Sequence, residues 1–134
     1  MRVLTLNEPW ATLIKNKKKY IETRSWKTNY RGELYIYAGK KIIDKATKSR
    51  LDLMNLVKDD KMNYSKIVCK CELVDCIYMT EEYIKKIKTE EPQQFICGEY
   101  AVWRYAWILT NIKPIENDKL VSGKLGIWNY DLKD

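Results

Sequence analysis

The sequence predicts an α+β fold: a small barrel of about six strands, mixed or closed antiparallel, with two to three helices packed outside it. Three observations lead there. The 134 residues make a single domain, residues 1–134, with no room for a second core. Strand-like runs of β-branched and aromatic residues outnumber helical ones, and turns or short helices separate them without regular βαβ alternation. With 46% hydrophobic and 32% charged residues but only 5 Gly and 3 Pro, the chain is neither disordered nor fibrous and can bury a core.

Residues 2–6 alternate into a short strand. Asn7-Glu8-Pro9-Trp10 reads as a helix start, with Asn7 as cap and Pro9 in the first turn. Trp10, Leu13 and Ile14 share one face of that helix, which gives out in the lysine run 15–19. Residues 20–26 carry a strand bias and lead into a loop ending at Arg31-Gly32, and 33–38 form the next strand. From 40 to about 58, Ile43, Ala46, Leu51, Met54 and Leu56 recur at roughly helical intervals, which predicts one surface helix. Residues 67–79 form a long strand, Thr80 caps a short helix through about 88, and 90–97 make a loop around Pro92. Residues 105–109 read as a buried strand running on toward 112, and 126–132 as the last strand. There is no repeat, linker or low-complexity tract.

Charge divides the chain unequally. Residues 1–50 hold 13 Lys/Arg against 4 Asp/Glu, a balance of +9, whereas residues 51–134 hold 12 against 14, a balance of −2. A basic N-terminal half points to a polyanionic partner, nucleic acid first and an anionic membrane second. Because 20 of the 25 basic residues are Lys, the pattern suits phosphate attraction better than bidentate base reading, and a generally lysine-rich composition has the same sign. Apolar runs are all shorter than the roughly 18 residues a membrane span needs, and 1–15 carry Asn7, Glu8 and Pro9 where a signal peptide is unbroken. These predict a cytoplasmic protein without a membrane partner.

The chain has no His and four Cys, at 69, 71, 76 and 97. Their spacing is not that of paired zinc knuckles, so buried, reduced thiols are expected and no metal or cofactor is implied. Without His, any catalysis falls to Lys, Tyr or carboxylates.

The densest chemistry is Lys19-Tyr20-Ile21-Glu22-Thr23-Arg24. In a strand, Glu22 and Arg24 share a side about 6.6 Å apart at the backbone, close enough to pair. If Lys19 converges with them in a cleft, Glu22 holds Arg24 while Lys19 and Arg24 offer donors to a phosphate or carbonyl. The commoner fate of such a triplet is a solvated surface ion pair. Downstream, Trp26, Tyr30, Arg31 and Lys40 interleave rings with cations, as a single-stranded nucleic-acid surface requires. Most of the 15 Trp and Tyr must fill core, Trp107 and Trp128 among them; Trp26 and Tyr30, in polar surroundings, are the better platforms. Glu99 is a further carboxylate that can fold over the cleft.

Leu6-Asn7-Glu8-Pro9-Trp10-Ala11, Lys19 through Arg24, Ser25-Trp26, Tyr30-Arg31-Gly32 and Ala38-Gly39-Lys40 together resemble the ASCH family of the PUA-like superfamily. Tyr105-Ala106-Trp107 and Gly123-Lys124-Leu125-Gly126-Ile127-Trp128 are similar to its closing strands, and only residues 43–65 fall outside the likeness. The family hallmark GxKxxExR falls here on Lys17, Lys19, Glu22 and Arg24, with Lys17 in place of Gly. The resemblance implies a PUA-like β-barrel ringed by helices, with a cleft between barrel and first helix that holds the motif. It implies an RNA-binding module, with RNA or another single-stranded nucleic acid, or a nucleotide-like small molecule, held by Lys19, Glu22, Arg24, Trp26, Tyr30, Arg31, Lys40 and Glu99. The alternative it implies is a metal-free hydrolase acting on a nucleoside amide such as N4-acetylcytidine, or on RNA phosphodiesters, with Lys19 and Glu22 catalytic. In the amidohydrolase branch a Thr stands where this chain has Glu22, and the adjacent Thr23 is expected on the opposite side of the strand.

Overall fold

Runs rich in β-branched and aromatic residues form six strands: β1 (Arg2–Leu6), β2 (Ile21–Arg24), β3 (Gly32–Ala38), β4 (Lys66–Tyr78), β5 (Tyr105–Pro114) and β6 (Ile127–Asn129). The computed structural model describes residues 1–131. The strands form one mixed sheet in the order β2-β5-β4-β3-β1-β6, in which β1 and β3 run parallel and every other pair antiparallel. The 13-residue β4 shifts register against β5 at Lys70/Glu72 and again at Leu73/Asp75. Such irregularities bend a strand and raise its twist, and the sheet curls into a half-barrel with five helices packed around it.

One face of β1, β3, β4 and β5 supplies the main core, including Leu4, Leu6, Leu34, Ile36, Cys69, Cys71, Leu73, Trp107 and Leu109. Helix α1 (Trp10–Lys15) closes it with Ala11 and Ile14. Cys69 and Cys71, two apart on β4, are both buried free thiols, and burial pushes Cys71 up to about 12. Trp107 is fully buried and Trp128 nearly so, as expected.

Four local expectations are corrected. Asn7 does not cap α1: Pro9 occupies the cap position, and the buried Glu8 carboxylate accepts instead from Thr12 N (2.8 Å), the Thr12 hydroxyl and Asn63 N (2.6 Å). The 40–58 segment is two short helices, α2 (Lys45–Lys48) and α3 (Leu51–Asn55), because its apolar spacing drifts and only Leu53 is buried on them, against Leu13, Val57 and Cys97. Thr80 caps α4 (Glu81–Glu90) as expected, accepting from Tyr83 N, but residues expected as loop form α5 (Pro92–Ile96), with Pro92 at its first position. The last strand stops at Asn129, and Leu132 lies outside the described residues. No described helix is long and apolar enough to cross a membrane.

Candidate functional site

The motif acquires its geometry from the end of α1. Lys18 N and Lys19 N both bond to Leu13 O, and Lys17 takes the left-handed conformation, φ 63°, at the position where the family motif has Gly. The chain thereby reverses and drives Lys19 inward, with 0% of its surface exposed. Its ammonium donates to Cys97 O at 2.6 Å and lies 3.4 Å from Glu22 Oε1. Glu22, 6% exposed, accepts from Arg24 Nη1 through its other oxygen at 3.1 Å. The Glu22 and Arg24 pairing is as the strand spacing predicts, but it belongs to a chain of three charges in which Lys19 and Glu22 are buried and Arg24 is half-buried, rather than to a solvated pair. Burial lowers the Lys19 pKa below its ordinary value, and the Glu22 charge opposes that shift.

The guanidinium of Arg24 lies 5.6 Å from the Trp26 ring centre and 6.0 Å from that of Trp107, and the two indoles meet edge to face with centroids 4.8 Å apart. The cation is thus held by a carboxylate on one side and rings on the other.

The opposite wall comes from residues 97–104. Arg104 donates to Thr23 O (3.1 Å) and Glu99 O (2.9 Å) and lies 3.6 Å from the Glu99 carboxylate, tying this loop to the edge strand β2. The Thr23 hydroxyl accepts from Glu99 N at 2.9 Å. Gly98 permits that approach, since a Cβ there would sit 2.8 Å from both Thr23 Cγ2 and Tyr100 Cε1. Thr23, which alternation sends away from Glu22, therefore still borders the cleft, because the loop folds around the strand edge. Arg50 joins from the α2–α3 junction, donating to Ile96 O at 2.8 Å. The result is a cleft of about 610 Å³ between α1 and the sheet edge, lined by Lys19, Arg24, Arg50 and Arg104 against Glu22 and Glu99. Its cationic surplus and concavity suit an anionic ligand of nucleotide size.

Of the residues expected from sequence, Lys19, Glu22, Arg24 and Glu99 converge here. Trp26 stands behind Arg24, 38% exposed, outside the cleft lining. Tyr30 donates to Glu33 O with the Arg2 guanidinium 4.9 Å from its ring centre, and Arg31 caps Thr28 O and Tyr30 O with Asp75 3.8 Å away. Both are tied to the turn they occupy. Lys40 lines a second cleft of about 710 Å³ with Lys41 and Lys124, which meets the first at Asn7. Sequence reasoning missed Arg50, Arg104 and Thr23. Arg104 stood visible directly before the 105–109 strand, whereas Arg50 lies in the segment that carries no motif. Among the described residues, no group of three or more Cys, Asp or Glu is arranged to hold a metal ion.

The model of the family described as the ASCH domain matches residues 4–119. Among solved structures, the chain is similar to the crystal structure of ASCH from Zymomonas mobilis, at TM-score 0.54 and 14% identity over 84% of this chain and 68% of that one. It is likewise similar to a tyrosine-to-phenylalanine mutant of the Zymomonas mobilis protein, at TM-score 0.52 and 12% identity over 86% and 72% of the two chains. These likenesses establish the shared fold. No curated protein matches the chain.

Proposed function

The chain belongs to the ASCH domain family, and from that premise we propose that it binds single-stranded RNA, seating one nucleotide in the Arg24 cleft. The observation that carries this reading is the Lys19, Glu22, Arg24 chain, its first two members buried, which fixes one partly exposed guanidinium in a concave site that Arg50 and Arg104 also enter. A pre-positioned Arg meets a phosphate or base edge with its remaining N–H groups, at little further cost in side-chain freedom. Glu22 aims it. Lys19, wholly buried, offsets the Glu22 charge from beneath, so the cleft keeps its positive sign. Trp26, Tyr30, Arg31 and Lys40 extend the surface for flanking nucleotides, and Glu99 offers an acceptor to a base amine.

The test is equilibrium binding to fluorescein-labelled single-stranded RNA at low and physiological salt. Affinity is expected to fall steeply with salt, through counterion release, and to drop about 10- to 100-fold in Arg24→Ala, the size of a lost charge-assisted hydrogen bond. Absent or salt-insensitive binding would overturn the proposal.

The depressed Lys19 favours a second reading, hydrolysis of a nucleoside amide, since a Lys of lowered pKa beside a cleft is a potential proton acceptor. It stands second because Glu22 occupies the position where the hydrolytic branch carries a hydroxyl. Turnover of N4-acetylcytidine that vanishes in Lys19→Met would put it first.

A further inference from the structure

Arg24 belongs to a row as well as to a cleft. In the sheet register Arg24 lies opposite Tyr105 on β5, and Tyr105 lies opposite Tyr78 on β4. Directly paired residues of antiparallel strands project from the same face, so these three side chains cross the sheet side by side. Tyr78 and Tyr105 pack edge to face with centroids 5.6 Å apart. The residues two along on each strand, Trp107 and Cys76, lie on this face at the main core. The intervening Ile77 and Ala106 turn to the other face, beneath Tyr83 and Ile84 of α4. The row is therefore the place where the core face runs out to solvent. Tyr105 is half-buried, while Tyr78 is 45% exposed.

Trp103, two residues before Tyr105, is the most exposed tryptophan at 70% and has φ 70°. A bulky side chain adopts that conformation at a cost, and only where its surroundings enforce it. Here the following residue does so: the Arg104 side chain is bonded to Thr23 O and Glu99 O, and Arg104 O accepts from Met79 N. The chain thus enters β5 at Tyr105 from a cleft-lining Arg104 held on both sides.

Building on the RNA reading of the cleft, we propose that Tyr105 and Tyr78 form a stacking subsite for the nucleotide flanking the one at Arg24. The ligand is then a single-stranded segment of at least two nucleotides rather than a free nucleotide. Charge selects the occupant: Arg24 joins cleft and row, Arg104 directly precedes Tyr105, and the cleft both line carries more cations than anions, which favours a polyanion over an apolar peptide. Ring stacking accepts any base, so this subsite adds affinity and minimum length rather than sequence preference.

The experiment compares a fluorescein-labelled pentauridylate with uridine 5′-monophosphate, the latter read by competition, across Arg24→Ala, Tyr78→Ala and Tyr78→Phe. Tyr105→Leu, which keeps an apolar side chain in the half-buried strand, replaces an alanine there. Tyr78→Ala and Tyr105→Leu are each expected to weaken the pentamer by about 5- to 100-fold, with mononucleotide affinity and thermal midpoint little changed. Tyr78→Phe should retain wild-type binding, and Arg24→Ala should weaken both ligands. Pentamer affinity unmoved by the tyrosine changes, or lowered equally for both ligands, would overturn the subsite while leaving RNA in the cleft. If the wild-type protein binds neither ligand at low salt, the RNA reading itself fails and takes the subsite with it.

Discussion

The cleft around Arg24 and the cleft around Lys40 meet at Asn7, and both carry more cations than anions, yet their charges are held in different ways. In the first, Lys19 is buried and Glu22 nearly so, and Arg24 and Arg104 are bonded to fixed partners. In the second, Lys40, Lys41 and Lys124 are exposed, and the Lys41 ammonium stands 3.8 Å from Asp44 in the open. An exposed pair of that kind contributes little and, with Asp44 held by Thr47 N at the start of α2, leaves the lysine free to move. Charge fixed by burial discriminates among ligand geometries, whereas exposed lysines attract any polyanion and lose their pull with salt. On the proposed RNA reading, the same sign of potential would serve recognition in one place and attraction in the other.

The strongest way to break this comparison is to remove the buried cation. Lys19→Met leaves Glu22 in a desolvated site with Arg24 alone, and removing one partner of a buried ion pair costs about 3–5 kcal/mol. Urea unfolding at pH 7 measures it, and a loss below about 1 kcal/mol would mean the motif is not held by its buried charges. The pH dependence carries a definite sign. Lys19 has a folded pKa below its ordinary 10.5, so as pH climbs toward 10.5 the unfolded chain holds the proton that the folded chain gives up. Wild-type stability should therefore gain on that of Lys19→Met as pH rises from neutrality toward 10.5, and level off above it.

A smaller effect sharpens the same point from the backbone side. Lys17 holds the left-handed conformation that turns the chain from α1 into the cleft. A side chain there costs about 1–2 kcal/mol relative to Gly, offset in part by about 0.5–1 kcal/mol for the greater freedom Gly has when unfolded. Lys17→Gly should raise stability by about 0.5–1 kcal/mol and leave RNA affinity unchanged. Loss of stability would show that the Lys17 side chain contributes more than its backbone costs.

What the sequence revealed and concealed follows the range of the forces involved. Alternation in residues 2–6 and β-branched, aromatic or apolar runs elsewhere exposed all six strands because such composition is local, and the strand spacing of Glu22 and Arg24 was enough to predict their pairing. The burial of Lys19 was not legible, since it depends on Cys97 O arriving from far along the chain and on a left-handed Lys17 that no propensity favours. Arg50 was hidden for a similar reason: it enters the cleft because α2 and α3 break where one helix was expected, and its bond to Ile96 O is a tertiary contact. Glu8 displaced Asn7 at the start of α1 because Asn63, 55 residues away, completes its set of donors. Local pattern therefore located the motif, and long-range packing decided which of its charges face the cleft.

The mildest perturbation tests the second cleft directly. Lys40→Gln combined with Lys41→Gln alters only exposed side chains, so stability should stay within about 0.5 kcal/mol of wild type. If these lysines meet phosphates diffusely, the plot of log affinity against log salt becomes shallower by about one for each contact removed, and binding at high salt is nearly unaltered. Arg24→Ala should instead lower affinity at every salt concentration, because it removes a directed contact as well as a charge. A double Gln variant that abolished binding as completely as Arg24→Ala would erase the distinction between the clefts. The RNA would then depend on both, with its strand passing Asn7 from one to the other.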